Sequence, residues 1–284
     1  MRVFDKADGI LDLRSRADFI AGHIKNSTWL AWNDLAQSLN ALPAPPASLY
    51  LVGSKDEIEA ASILLDSKNY QVIGSMVLDS AAAIEQWMQS MPDAFEPGKQ
   101  SRTLWQPCPL VKDLVEMLEQ QVIQLPLQPS QRAQVLDIGC GGGRDAIFLA
   151  KQRMNVLAID HEQKVLKRAK QLATQSGASV KFKCCDVKKD NCLPVEGSDI
   201  ILMIRFLNRE LFGYIQSHVK PGGIVLVQTF VEGVEAFGSP KNPNFILQKN
   251  ELAKVFAGYE IIVDRIETLA DGRPVASFIA RKPL

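Results

Sequence analysis

Apolar residues run through this chain in short strand-length bursts, separated by stretches whose apolar positions fall at helical spacing. In the first ninety residues, Gly9 to Leu13 and Ser48 to Val52 read as strands, and Arg16 to Ala21 as a short helical turn. Lys55 to Asp66 places Ile58, Ala61, Leu64 and Leu65 on one helical face. Two short apolar pieces follow, Val72-Ile73 and Met76 to Leu78, then a helix over Ala81 to Gln89. This alternation predicts a small α/β unit of parallel-sheet type.

The pattern is stronger further on. Helices are expected at Leu110–Leu125, Arg144–Lys151, Glu162–Gln175, Arg209–Val219 and Lys249–Phe256. Strands are expected at Gln134–Ile138, Asn155–Ile159, Val180–Cys184, Asp199–Ile204 and Ile224–Phe230. Two last strands, Tyr259–Glu267 and Pro274–Arg281, are joined by a turn at Asp271-Gly272, so they form an antiparallel hairpin. Strands alternating with helices predict a parallel sheet covered on both faces. Between the halves, Met91 to Pro109 carries four prolines and a glycine among polar residues, which reads as a linker. The domains are expected at 1–92 and 104–284, with 93–103 connecting them.

At 284 residues, two domains suit the limit on single cores. Lys plus Arg equals Asp plus Glu at 32 each, which argues against a broad phosphate-binding surface. Through Arg102 there are 9 basic and 13 acidic residues, so the remainder carries the basic surplus. No secretory signal opens the sequence, and no apolar run reaches about 18 residues. The five cysteines, Cys108, Cys140, Cys184, Cys185 and Cys192, are odd in number and none forms C-x-x-C. That excludes a disulfide framework and a zinc site, so cytoplasm is the expected compartment and no metal is expected.

The most informative stretch is Val135 to Arg144, VLDIGCGGGR, in which a strand runs into four glycines and then a helix. Glycine permits positive φ and lets a ligand press on bare backbone, while the helix N-terminus beyond offers free N–H groups. The next strand ends at Asp160, seventeen residues past Gly143, where a carboxylate can accept from both hydroxyls of a ribose. The third strand ends in Cys184-Cys185-Asp186, which puts a second carboxylate within reach of an adenine amino group. Asp137, inside the strand, suits a cationic sulfonium and an amino-acid tail. A nicotinamide dinucleotide is the rival, but its fingerprint wants a small residue where Arg144 stands.

VLDIGCGGGRDAIFLA, VLAID, KCCDV and VKPGGIVLVQTF, in this order, resemble class I S-adenosylmethionine-dependent methyltransferases from about Leu104 onward. The GxGR loop and PNFILQKNELAKVFAGYE are most similar to the tellurite-resistance type. The resemblance implies a Rossmann-like domain whose seven-stranded sheet has an antiparallel last strand, with S-adenosylmethionine as cofactor and S-adenosylhomocysteine as product. It implies that Asp137, Gly139, Cys140, Gly141 and Gly143 line the methionine side. Asp160 would bind the ribose, His161 would edge the adenine pocket, Asp186 with Val187 would hold the adenine, and Ile204 would complete the site. Methyl transfer is an in-line displacement at an activated carbon, so it needs positioning and exclusion of water rather than a triad. At the end of the fourth strand, Arg205 and Arg209 flank Phe206-Leu207; arginine fits planar anions, so both are expected to position an anionic group of a small substrate. Phe237, Asn242 and Asn244 lie in a long Gly/Pro/Asn-rich connection of the kind that forms lids, and Trp105 and Gln106 are candidates for the opposite wall.

Asp12-x-Arg14-Ser15 with Phe19 to Ile24 (FIAGHI) resembles the rhodanese family over about residues 1–90. Sulfur transfer in that family needs a cysteine directly after the central strand, here Leu49 to Val52; Gly53-Ser54-Lys55 stands there instead. A thiolate carries the persulfide, so this domain is expected to be non-catalytic, with Asp12, Arg14 and His23 structural. It could dock a protein partner, form a dimer contact or shape the entrance to the methyltransferase site. Three functions follow. The first is methyl transfer to a small, anionic or sulfur/chalcogen-containing acceptor. The second is methylation of tRNA or other RNA, disfavoured by the balanced charge. The third is a regulatory protein that senses the cofactor.

Overall fold

Residues 2–284 are described by the structure, a computed structural model, in two units that divide after Gln106. In the first, strands β1 (Gly9–Asp12), β3 (Thr28–Trp29), β4 (Ala47–Gly53) and β5 (Tyr70–Val77) form a parallel sheet in the order β3-β1-β4-β5. Helices α1 (Arg16–Ala21), α2 (Trp32–Leu35), α3 (Lys55–Asp66) and α4 (Ala81–Ser90) accompany it. Ser15, Ser54 and Ser80 cap α1, α3 and α4, each accepting from a backbone N–H three residues on. The two apolar pieces at 72–78 are one strand, because β5 follows β4 through a register shift at Leu49/Tyr50.

The segment read as a linker is tied to this unit. Strand β6 (Phe95–Glu96) pairs antiparallel with β2 (His23–Ile24). The Gly98 amide donates to the Ile20 carbonyl, Arg102 to Ser27, and Trp29 to the Ser101 hydroxyl, each at 2.9 Å. The unit accordingly extends to Gln106. Asp12, Arg14 and His23 are buried inside it. Arg14 donates to Asp12 at 2.9 and 2.6 Å and to the Gly22 carbonyl at 2.7 Å, which closes the β1–α1 turn. Ser54, which follows β4, is occupied in a capping box with Glu57.

The second unit opens with α5 (Pro109–Glu119), which stops short of Leu125 where Gln121 takes a left-handed φ of 58°. Then come β7 (Gln134–Ile138), α6 (Arg144–Lys151), β8 (Asn155–Asp160), α7 (Gln163–Gln175), β9 (Lys181–Cys184) and β10 (Ser198–Ile204). A 3-10 turn at Arg209–Leu211 precedes α8 (Phe212–His218), so the expected single helix is broken in its first turn. Last are β11 (Val219–Phe230), α9 (Glu251–Val255), β12 (Glu260–Thr268) and β13 (Pro274–Arg281). The seven strands order as β12-β13-β11-β10-β7-β8-β9, with only the β11–β13 and β13–β12 pairs antiparallel.

Residue alternation builds a core on each face of this sheet. Leu136, Ile138, Ile201, Met203, Val225 and Val227 point to one side, and Val135, Ile200, Leu202, Ile224 and Leu226 to the other. The chain leaves β7 toward β8 on one side and reaches β10 on the other. The direction of winding therefore reverses between β7 and β10, which opens a crevice at their carboxyl ends. One cysteine expectation fails. Cys185 and Cys192 are joined by a disulfide, with Cα atoms 5.8 Å apart, while Cys108, Cys140 and Cys184 are free. Among the described residues no helix is long and apolar enough to cross a membrane.

Candidate functional site

A cleft of about 560 Å³ lies in that crevice, within the range of small-molecule sites. Gly139 from the glycine loop, Asp160 and His161 from the end of β8, and Asp186 and Val187 after β9 line it together. Phe206 to Glu210 and Asn244-Phe245 complete the lining. These elements meet here because three successive strand ends carry the loop and the two carboxylates to the same rim.

The loop follows from its glycines. Gly139 and Gly141 have φ of 75° and 51°, and the space a side chain would take at Gly141 is open. The Gly141 amide donates to Asp160 Oδ2 and the Glu162 amide to Oδ1, both at 2.9 Å. Each oxygen keeps a lone pair for a further donor. His161 is exposed, its Nδ1 3.5 Å from Asp160. Asp186 accepts from the Lys188 amide at 3.0 Å, which folds the loop under Val187. Cys140 is half-buried and its thiol is raised by burial and by Asp137, so it is no nucleophile.

Asp137 lies beneath the loop, 1% exposed, with Oδ2 lacking any partner. Burial, then the neighbouring Asp145 and Asp160, push its carboxyl well above the usual range. An orphaned buried carboxyl at the entry to a glycine loop fits a cationic ligand group, and Gly141 leaves open space in that loop.

Of the expected site residues, Asp137, Cys140, Gly141, Gly143, Ile204 and Arg205 are not among those lining the cleft. Gly143 caps α6 at φ 77°, and a side chain there would strike Ala169 and Phe182, so its role is close packing of helix on sheet. Ile204 is a buried strand end outside the cleft lining. Arg209 touches the cleft, but its guanidinium is committed. It donates to Glu251 at 2.6 and 2.9 Å and to the carbonyls of Pro243, Asn244 and Ile246. Burial pushes Glu251 up, yet Arg209 and the Gln248 amide outweigh that and hold it below its usual value. Arg209 is thus a strut for the 243–251 segment rather than a free anion ligand. Asn242 is likewise used locally, capping Asn244 at 2.9 Å, and Phe237 is exposed beside Gly272. Trp105, which is buried, and Gln106 close the first unit.

Arg205 is exposed at the end of β10 and acts electrostatically on Asp145 and Cys108. A polar chain unremarked in the sequence adjoins it. Asp145 accepts from the Cys108 amide at 2.6 Å, and the Cys108 thiol donates to Gln228 at 3.1 Å. Gln228 donates to Ser277 at 2.8 Å, and the Ser277 hydroxyl to Glu267. Burial, reinforced by Asp145, pushes the Cys108 thiol up to about 12. The chain spans 120 residues from Cys108 to Gln228, so no local pattern announces it.

Residues 129–265 match the family model described as a methyltransferase domain. Over 96% of its length the chain is 24% identical to the Schizosaccharomyces pombe protein named Uncharacterized protein UNK4.09, of which it covers 93%. Over 34% of its length it is 31% identical to ubiquinone biosynthesis O-methyltransferase of Rickettsia canadensis, of which it covers 43%. TehB from Haemophilus influenzae has the same fold, with a TM-score of 0.50 and 22% identity over 65% of this chain and 64% of TehB. The chain therefore spans less than two thirds of each of these last two proteins.

Proposed function

We propose that residues 129–265, which match a methyltransferase-domain model, use S-adenosylmethionine, and that the cleft holds this methyl donor and delivers its methyl group to a small, anionic or sulfur/chalcogen-containing acceptor. The observation that carries the reading is the unpartnered buried carboxyl of Asp137, on the strand that runs into the glycine loop, beside a cleft lined by Gly139, Asp160 and Asp186. Bound S-adenosylmethionine supplies a methyl carbon made electrophilic by positive sulfur. Asp137 meets the cationic end of the donor, Asp160 accepts from its ribose hydroxyls, and Asp186 with Val187 holds its adenine edge. Gly139, Cys140 and Gly141 supply the bare backbone beside it. Asn244 and Phe245, held by Arg209, exclude water from the cleft.

Arg205, exposed where β10 ends, is the residue we assign to positioning the acceptor. The first unit has a non-catalytic, rhodanese-like role in this reading, as a docking or dimerisation element. The match to the fission-yeast protein over nearly both full lengths supports treating the two units as one functional chain. A screen with donor labelled in its methyl group tests the acceptor class, over thiols, chalcogen oxyanions, carboxylates and tRNA. Label is expected in small molecules, with KM for the acceptor raised about tenfold or more by Arg205→Ala. Label confined to tRNA would overturn the small-acceptor reading.

A further inference from the structure

Phe206 has a geometry that the proposed function does not use. It follows Arg205, a non-glycine residue held at φ 53°, in the left-handed region that such residues rarely occupy. The Arg205 amide donates to the Gln228 carbonyl at 2.6 Å, which pins the turn from the neighbouring strand. The turn lays the Phe206 ring on Gly139. A Cβ at position 139 would come within 2.5 Å of Phe206 Cγ and 2.7 Å of its Cβ. Phe206 and Gly139 both line the cleft, as does Asp160.

The covalent order of the donor makes this placement meaningful. Its sulfur joins the ribose to the amino-acid tail. With the ribose at Asp160 and the tail over the glycine loop above Asp137, the sulfur comes to the stretch of wall formed by Gly139 and Phe206. An aromatic face attracts a cation, and the donor sulfur is cationic whereas the thioether left after transfer is neutral. We infer that Phe206 is a specificity-determining residue that reads the charge on sulfur, favouring S-adenosylmethionine over its demethylated product. The inference rests on the donor reading above. A ring that merely fills space would serve both ligands equally.

Calorimetry on the full chain with S-adenosylmethionine and S-adenosylhomocysteine separates the two roles. Phe206→Leu, which keeps apolar bulk and removes the ring, is expected to weaken S-adenosylmethionine by about 3- to 30-fold while S-adenosylhomocysteine stays within about twofold. Phe206→Tyr keeps a ring and is expected to keep the preference for the charged donor, which guards against a Leu variant that folds poorly. Equal loss for both ligands in the Leu variant, or no loss for either, overturns the inference and leaves the donor reading intact. A wild-type chain that binds neither ligand overturns both.

Discussion

Asp137 is held in a state that folding alone would not choose. Its carboxyl is sealed from water, lacks a partner at one oxygen and faces two other carboxylates. Its folded pKa lies above the unfolded value of about 3.9. The folded state therefore binds the proton more tightly, and stability without donor falls as pH rises from about 4 toward that folded value. Asp137→Asn removes the charge and keeps the shape. It is expected to stabilise the donor-free fold at pH 7 by about 1–3 kcal/mol, to flatten the decline between pH 5 and 8, and to weaken donor binding. Urea unfolding at the two pH values reads the first effects; an unchanged pH slope would contradict them. At this scale much was legible in the sequence. Gly139, Asp160, Asp186 and Val187, which line the cleft together, are marked because strand ends and glycines have local signatures. The packing role of Gly143 is not, since the side chains of Ala169 and Phe182 that it accommodates come from other elements. The ion pair of Arg209 is not either, because its partner Glu251 lies 42 residues away.

The loop from Cys185 to Cys192 carries Asp186, Val187 and Lys188 onto the cleft. Its disulfide closes it, and Lys183 Nζ donates to the carbonyls of Asn191 and Cys192, both at 2.7 Å. Cross-linking a loop this short restricts the unfolded chain by about 2–3 kcal/mol. Cys192→Ser is expected to lower unfolding stability by about 2 kcal/mol in denaturant, and a dithiol reductant to bring the wild type to the same level. A wild type indifferent to reductant would contradict this. Neither cysteine spacing nor count could show the bond, because connectivity is set by how the loop folds. The other element-scale differences have similar causes. Phe95-Glu96 looked like linker because prolines and a glycine surround it, yet it is the partner of His23-Ile24. Thr28-Trp29 is too short for periodicity to register, and it is a strand only because β1 pairs with it. Long elements such as α3, β7 and α6 were readable to the residue, since capping residues and glycines mark their ends.

For the whole molecule, alternation of strand and helix foretold two α/β units, and the closing hairpin foretold the antiparallel strands at one edge of the larger sheet. What alternation could not specify is strand order. The order β12-β13-β11-β10-β7-β8-β9 places the reversal between β7 and β10, and that reversal makes a cleft of the strand ends. The zero formal charge argues against a polyanionic partner. Titration of the full chain with S-adenosylmethionine in a calorimeter tests this account most directly, run beside Asp160→Ala. One site per chain is expected, with a dissociation constant of about 1–100 μM, weakened about tenfold or more in the variant as the ribose loses its acceptor. No heat of binding at about millimolar donor, or equal affinity in the variant, would contradict it.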